Sequence, residues 1–353
     1  MLIHQDNHNL LNIIKQKIMD NKGYITFSQF METALYEPNL GYYNQQNIKI
    51  GMQGDFTTAC EISPLFGKTV ANAITYSNIL ELGAGSGKLA CEIIKKVHPH
   101  KYYILERSAF LKQQQKQYLI SQNISLHNVE WISQLPQNFE GSIIANEVLD
   151  ALAVDIWGFN FKQNQWSLKG IGLNNDDLCW VDIKEVNNTQ NLPDELPKNI
   201  EYFDKDEYIT ETHEQSKFLI NSLSNILSKG EIILIDYGFL EHEYYHPNRN
   251  MGTLMCYHKH TANTNPLINI GLQDISCHVN FSLIIQALEK NNLEIEYFAN
   301  QANFLIDYGI LELLNTCIDT KDYLNIAKQA QVLLSEAEMG ALFKVVIAKK
   351  IKN

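Results

Sequence analysis

The chain has no C-x-x-C pair. Its six cysteines (Cys60, Cys91, Cys179, Cys256, Cys277 and Cys317) are scattered, which excludes a paired-cysteine framework and suits reduced, mostly buried thiols in a cytoplasmic protein. No apolar run approaches the roughly 18–20 residues that cross a bilayer, so no membrane span is expected. The opening MLIHQDNHNLL has neither a basic stretch nor a continuous apolar one, and no secretory signal is expected. Basic charge is in short supply, with 28 Lys and Arg against 40 Asp and Glu and a net charge of −12. A protein that grips phosphate backbones normally carries a basic surface, so DNA and RNA are disfavoured as ligands. Internal repeats and long low-complexity tracts are also missing.

What remains is an ordinary globular composition, 45% hydrophobic and 19% charged over 353 residues. That length holds one large α/β domain with insertions or two modest domains. Leu10, Leu11, Ile14 and Ile18 stand at helical spacing, and Thr26 with Gln29 three residues later reads as a capping box. Ser63-Pro64 opens another helix. From residue 78, NILELG, KLACEIIKKV, KYYILE, SAFLKQQQKQYLI, NVEWI and GSIIANE alternate strand with helix, which implies a parallel sheet with right-handed crossovers. Short alternating stretches around Trp157, Trp166 and Trp180 read as an antiparallel insertion before GEIILIDYG returns to the sheet. A helix near 279–290, a strand near 293–298, a helix near 322–336 and a closing strand ALFKVVIAKK complete the pattern.

ILELGAGSGKLA carries the sharpest local signal. Strand, then Gly83, Gly85 and Gly87, then helix brings backbone close to a nucleotide-like ligand, with unpaired N–H groups of the helix start aimed at it. The turn is G-x-G-x-G rather than the dinucleotide G-x-G-x-x-G. Glu81, just before it, would repel a pyrophosphate and suits a ligand bearing an ammonium group. Glu106 closes the next strand, where a carboxylate can accept both hydroxyls of a ribose. Ribose and ammonium without pyrophosphate describe S-adenosylmethionine. The bland alternative is a tight turn flanked by two solvated acids.

GDFTTACEISPLFG, ILELGAGSGKLA, IIANEVLDALAV, IDYG, GTL and QANFL occur in an order and spacing that resembles the MidA-type family of class I methyltransferases. That family includes a mitochondrial complex I assembly factor acting as a protein arginine methyltransferase. The resemblance spans roughly residues 10 to 345. It implies an α/β, Rossmann-like class I methyltransferase sheet with an N-terminal helical segment and substrate-side insertions. Residues 1–77 would form the helical segment and a cofactor-covering loop. Residues 78–353 would form the methyltransferase domain, with insertions at about 153–205 and 239–278. S-adenosylmethionine is the implied cofactor and a protein the implied substrate, with a respiratory-complex subunit or another basic protein as candidate partner and an oligomer left open. By position, Gly83, Gly85 and Gly87 would line the methionine end with Glu81 near its amino group. Glu106 would hold the ribose, Trp131 and Ile132 would flank the adenine, and Gly54, Asp55 and Thr58 would fold over the pocket. The chain departs from the family in Ala84 and Ser86, where Pro and Arg are usual in the turn. It departs again in Met255, where Arg is common, and in Asn280, where Asp is common.

For the transfer itself, a guanidinium acceptor needs carboxylates to orient its planar fork. Asn146, Glu147 and Asp150 follow the fourth strand at the carboxyl end of the sheet, with Glu147 and Asp150 spaced to share one face of a short helix. Glu147 is the first choice and Asp150 the second. Capping of a following turn is the competing role for Asn146 and Asp150. His278 would join them by family position. HEYYH, residues 242–246, matches a zinc-protease pattern, but Pro247 follows at once and disfavours helix at His246, so no metal site is expected. The reading is thus a protein arginine methyltransferase. A methyltransferase for another acceptor, a dinucleotide oxidoreductase and a non-catalytic assembly factor are the alternatives.

Overall fold

Ile79, Leu80, Ile104, Ile143, Ile144 and Ile232 to Ile235 are all buried, which a parallel sheet demands when helices cover both its faces. The structure, a computed structural model, describes residues 2–45, 58–183, 192–198, 200, 206–317 and 321–350. The chain divides into two compact units, each assembled from three segments.

The large-sheet unit comprises Ile48–Leu149, Leu219–Gly238 and Ile284–Asn353. Its strands are β2 (Asn78–Leu82), β3 (Lys101–Leu105), β4 (Val129–Ile132), β5 (Phe139–Asn146), β10 (Leu227–Phe239), β15 (Leu293–Asn300) and β16 (Phe343–Lys350). They run in the order β15-β16-β10-β5-β2-β3-β4. β4, β3, β2, β5 and β10 are parallel, whereas β16 is antiparallel to both β10 and β15. The expected Rossmann-like sheet is therefore present. From β2 the chain moves outward through β3 and β4 and then returns to β5 on the other side of β2. The crevice between β2 and β5 is thus a topological switch point, where such sheets bind ligands at their carboxyl ends. The covering helices are α3 (Ala59–Ile62), α4 (Pro64–Ala73), α5 (Lys88–Val97), α6 (Ala109–Ser121), α10 (Gln301–Asp307), α11 (Ile310–Asn315) and α12 (Tyr323–Leu334). Phe66, Val70, Leu89, Ile93, Phe304 and Leu333 from these helices join the sheet residues in one apolar core. Each such side chain contributes about 1.5–3 kcal/mol by leaving water. Ser63 caps α4 through the Leu65 amide, with Pro64 at the first helical position, as its sequence predicts.

The small-sheet unit comprises Met1–Asn47, Asp150–Phe218 and Phe239–Leu283. Antiparallel β1 (Tyr24–Thr26), β6 (Asp155–Asn160), β7 (Gln165–Asn174), β8 (Asp177–Ile183) and β9 (Glu207–Thr212) form its main sheet, in the order β1-β7-β6-β9 with β8 beside β7. Trp157, Trp166, Leu168 and Tyr208 build its core, so two of the three tryptophans that mark the insertion in the sequence are core residues, whereas Trp180 is exposed and stacks on Phe27. A three-stranded sheet joins β11 (Met255–His258), β12 (Thr261–Asn263) and β13 (Asp274–Ser276), and β14 (Val279–Asn280) follows. The helices are α1 (Leu2–Asp20), α2 (Phe27–Tyr36) and the one-turn α8 (Glu241–Tyr244). α7 (Glu214–Ile226) and α9 (Phe281–Lys290) carry the chain from one unit into the other. The capping box forms at α2, where the Gln29 amide donates to Thr26 Oγ1 and the Thr26 amide to Gln29 Oε1. Among the described residues no helix is long and apolar enough to cross a membrane.

Candidate functional site

The glycine turn leaves β2 with Gly83, Gly85 and Gly87 all left-handed, at φ 60°, 53° and 85°. Three such residues in five positions are inexpensive only for glycine. Space is also tight, because a Cβ on Gly83 would lie 3.3 Å from Val148 Cγ2. The Gly83 amide donates to the Leu105 carbonyl at 3.0 Å and the Gly87 amide to the Ala84 carbonyl at 2.8 Å, which fixes the turn at both ends.

Two buried acids flank it. Glu81 is 2% exposed and accepts from the Tyr102 hydroxyl at 2.7 Å. Burial raises its carboxyl to about 7, the Tyr102 hydrogen bond opposes the rise, and the nearby Glu106 adds to it. Glu106, directly after β3, accepts from the Ser108 amide at 2.9 Å and from Gln115 Nε2 at 3.1 Å. Its proton affinity is also raised, chiefly by burial. Among the described residues neither acid has an ion-pair partner.

Gln115 is fully buried on α6 and joins three of the expected positions. Its Nε2 donates to the Gly85 carbonyl at 3.0 Å and to Glu106, while its Oε1 accepts from Trp131 Nε1 at 2.8 Å. Trp131 lies half-buried on β4 with Lys116 Nζ 4.9 Å from its ring centre. The Ile132 carbonyl accepts from the Glu106 amide at 3.3 Å. Turn, acid and Trp131–Ile132 are therefore one connected group. Nothing in the run QQQKQ distinguishes the glutamine that makes this connection.

At the other side of the switch point, Asn146 ends β5 and Glu147 takes a left-handed backbone at φ 54°. A non-glycine residue held there is strained, and such strain persists where surrounding structure enforces it. The Glu147 amide donates to the Ile235 carbonyl at 2.8 Å. Its Oε1 accepts from Asn146 Nδ2 at 3.3 Å and from the Ala59 amide at 3.4 Å. Asn146 Nδ2 also lies 3.9 Å from Cys60 Sγ, whereas its Oδ1 is buried with no hydrogen-bond partner among the described residues. Burial, then the Glu147, Glu81 and Glu61 carboxylates, push the Cys60 thiol well above its usual range.

The short helix expected to align Glu147 with Asp150 does not form; residues 147–152 are a turn. A left-handed residue cannot itself be part of an α-helix, so Glu147 could at most precede one. Instead, Asp236 Oδ2 accepts from the Val148 amide at 3.1 Å and the Leu149 amide at 2.9 Å, and thereby stabilises a non-helical path. Asp150 belongs to the small-sheet unit, where its carbonyl accepts from the Cys277 amide at 3.0 Å. His278 is in that unit too, with its ring stacked on Phe239 at 5.0 Å and its amide donating to Thr253 Oγ1 at 3.1 Å. Thr58 precedes α3 and is half-buried, with no side-chain cap bond. Gly54 and Asp55 lie outside the described residues.

In the small-sheet unit the GTL and HEYYH motifs converge on fully buried Glu211. Its Oε1 accepts from the Thr253 and Leu254 amides at 2.6 and 3.0 Å, and its Oε2 accepts from the Tyr244 hydroxyl at 2.8 Å. Of the two histidines in HEYYH, His242 is exposed on the four-residue α8. His246 lies beyond that helix and accepts from the Asn248 amide at 3.2 Å. Asn280 Oδ1 accepts from the Leu283 amide at 3.3 Å, the role of a helix N-cap, which asparagine fills as well as aspartate. That departure from the family pattern therefore keeps the local structure.

A family model described as "Putative S-adenosyl-L-methionine-dependent methyltransferase" matches residues 66–299. The chain is 26% identical to the Caenorhabditis elegans protein named "Protein arginine methyltransferase NDUFAF7 homolog, mitochondrial", over 94% of this chain and 85% of that one. It is 22% identical to the Danio rerio protein named "Protein arginine methyltransferase NDUFAF7, mitochondrial", over 96% and 86%. A crystal structure from Burkholderia thailandensis bound to S-adenosyl-homocysteine superposes with a TM-score of 0.88 at 32% identity, covering 99% of this chain and 93% of that one. The cytoplasmic location expected from the sequence is corrected by these relatives, whose names point to mitochondria instead. Unpaired thiols report the absence of a disulfide framework and do not distinguish one reducing compartment from another.

Proposed function

We propose that this chain, which belongs to the family of S-adenosyl-L-methionine-dependent methyltransferases, methylates an arginine side chain of a protein partner. Membership makes it an enzyme whose methyl donor is S-adenosylmethionine. The described residues fit that donor. Glu81 and Glu106 are buried acids with no ion-pair partner among the described residues, at the strand ends that flank the glycine turn. Glu81 would face the donor's ammonium, Glu106 its ribose hydroxyls, and Trp131 and Ile132 its adenine. When bound, the donor supplies an activated methyl group, and the protein supplies alignment and charge.

The arginine reading rests on one observation above others: Glu147, strained at the carboxyl end of β5 and beside the orphaned Asn146 Oδ1, at the switch point shared with the glycine turn. A carboxylate and an amide oxygen side by side offer acceptors for the N–H groups of a guanidinium. Glu147 would orient the planar fork so that one nitrogen faces the methyl group. Asn146 would take a second N–H. Relatives named protein arginine methyltransferases support the same acceptor. A basic protein, such as a respiratory-complex subunit, is the partner class that a chain of net charge −12 would attract.

Glu147→Gln keeps the shape and removes the charge. It should bind S-adenosylmethionine with unchanged affinity in calorimetry and lose transfer into a mitochondrial lysate by at least about a hundredfold, a loss of roughly 2.7 kcal/mol of transition-state stabilisation. Full transfer by this variant would remove Glu147 from the reaction. Label appearing on lysine or on a small molecule in place of arginine would reassign the acceptor.

A further inference from the structure

Glu61 was not among the expected site residues, yet both of its oxygens are committed to the glycine turn. Ser86 Oγ, inside the turn, donates to Glu61 Oε1 at 2.5 Å. Lys88 Nζ, from the first residue of α5, reaches Oε2 at 2.6 Å. The Glu61 side chain is 8% exposed and that of Lys88 35%, so the acid is shielded from water while the lysine reaches it from a partly exposed position. We propose that Glu61 is a positioning residue for the donor site, holding the glycine turn through Ser86 and the start of α5 through the Lys88 ammonium.

The electrostatics of α5 make the case. Its N-cap, Gly87, offers no side-chain bond to the helix start. A lysine at the first helical position is also misplaced, because the amino end of a helix already carries partial positive charge. An unpaired Lys88 would be repelled by that partial charge, leaving the first residue of the helix after the turn without a fixed side-chain anchor. Glu61 returns negative charge to that end from the neighbouring α3 and draws the ammonium to a fixed place. Ser86, a neutral hydroxyl, serves as a second tether. The other face of the turn is held by Gln115 at the Gly85 carbonyl, so Glu61 and Gln115 grip it from two sides. Without the Glu61 grip the three left-handed glycines can swing, and the amides they aim at the ligand lose their common direction.

The inference rests on the reading of the glycine turn as the donor site, and Glu106→Ala tests that reading by itself. Calorimetric titration with S-adenosylmethionine would compare wild type with Lys88→Met, Glu61→Ala, the double variant of the two, and Ser86→Arg combined with Lys88→Met. Thermal midpoints of the ligand-free proteins would be recorded alongside. Lys88→Met and Glu61→Ala should each weaken binding about tenfold. Their combination should be no weaker than Glu61→Ala alone, since both break one interaction. Arginine at position 86 should restore the Lys88→Met affinity to within about twofold, which a merely structural lysine would not allow. Additive losses, unchanged affinities or failure of the arginine to rescue would each overturn the clamp. If Glu61→Ala melts early, Glu61→Gln takes its place, keeping the Ser86 bond and removing only the charge. Loss of binding in Glu106→Ala with normal binding in every Glu61 and Lys88 variant would sink the clamp alone. Normal binding in Glu106→Ala as well would sink the donor-site reading.

Discussion

Glu81 ties the donor site to pH. Burial lifts its carboxyl from the usual 4.5 to about 7, with Glu106 adding to the rise. Without the donor, the group therefore holds a proton through much of the range between those values. An ammonium facing Glu81 needs the carboxylate, so binding should expel that proton. Affinity for S-adenosylmethionine should accordingly rise with pH, by at most about tenfold per unit, between 5.5 and 7 and then level off. The donor's own amino group stays charged over that interval. Calorimetry at pH 6 in buffers of different ionisation enthalpy should register proton release. A flat affinity profile would detach Glu81 from the ammonium. The same raised value favours the folded, donor-free protein at low pH: this contribution is complete below 4.5 and is lost as pH rises through about 7. Legibility at this scale followed local pattern. The glycines and the acids at strand ends can be placed from sequence because strand, turn, helix and strand follow one another without interruption from residue 78 to 106. Gln115 and Glu61 cannot, since their partners lie 9–30 and 25–27 residues away on other elements and neither interrupts the pattern of its helix.

Between β5 and the chain that follows it, a turn stands where the spacing of Glu147 and Asp150 suggests a helix. The deciding group is Asp236 on β10, whose carboxylate gathers the Val148 and Leu149 amides with Oδ2 and the Tyr237 amide with Oδ1. Sequence spacing was a fair guide to local preference, but a buried acid about ninety positions later overrode it. Asp236→Ala would strand amides that have lost their acceptor in the interior. Losing charge-assisted bonds of this kind costs about 1.5–3 kcal/mol each. Counting only the two bonds to Val148 and Leu149, the variant should lower the urea midpoint by an amount worth at least about 3 kcal/mol with an unchanged slope. Its transfer rate should also fall, because Glu147 depends on the same turn for its left-handed backbone. An unmoved midpoint would mean that the β5–β10 ladder, through the Glu147 amide and the Ile235 carbonyl, holds the turn unaided. The capping box at α2 and the Ser63 cap of α4 are the opposite case, fully legible because all their partners lie within three residues.

The large sheet could be anticipated from alternating strands and helices, and its strand order places the expected donor residues around one switch point. The division of the chain could not, because each unit draws on three separated segments and β1 from near the start pairs with β7 in the middle. The scattered cysteines suggested a cytoplasmic location, which the mitochondrial names of the relatives correct. If the glycine turn holds the donor, binding must stabilise this part of the chain by mass action. At a free concentration one hundred times Kd, the gain is about 2.7 kcal/mol. Amides that exchange only when the site opens should then exchange up to about a hundredfold more slowly. Hydrogen exchange read by mass spectrometry should show that slowing in peptides containing residues 81–88, 106–111 and 131–132, where turn, acids, Gln115 contacts and Trp131 form one connected group. The thermal midpoint should rise with the logarithm of donor concentration in the same samples. A rising midpoint without slowing in those peptides would mean that the donor binds elsewhere on the fold. Slowing confined to 81–88, with 131–132 unaffected, would keep the methionine end at the turn and withdraw the adenine from Trp131.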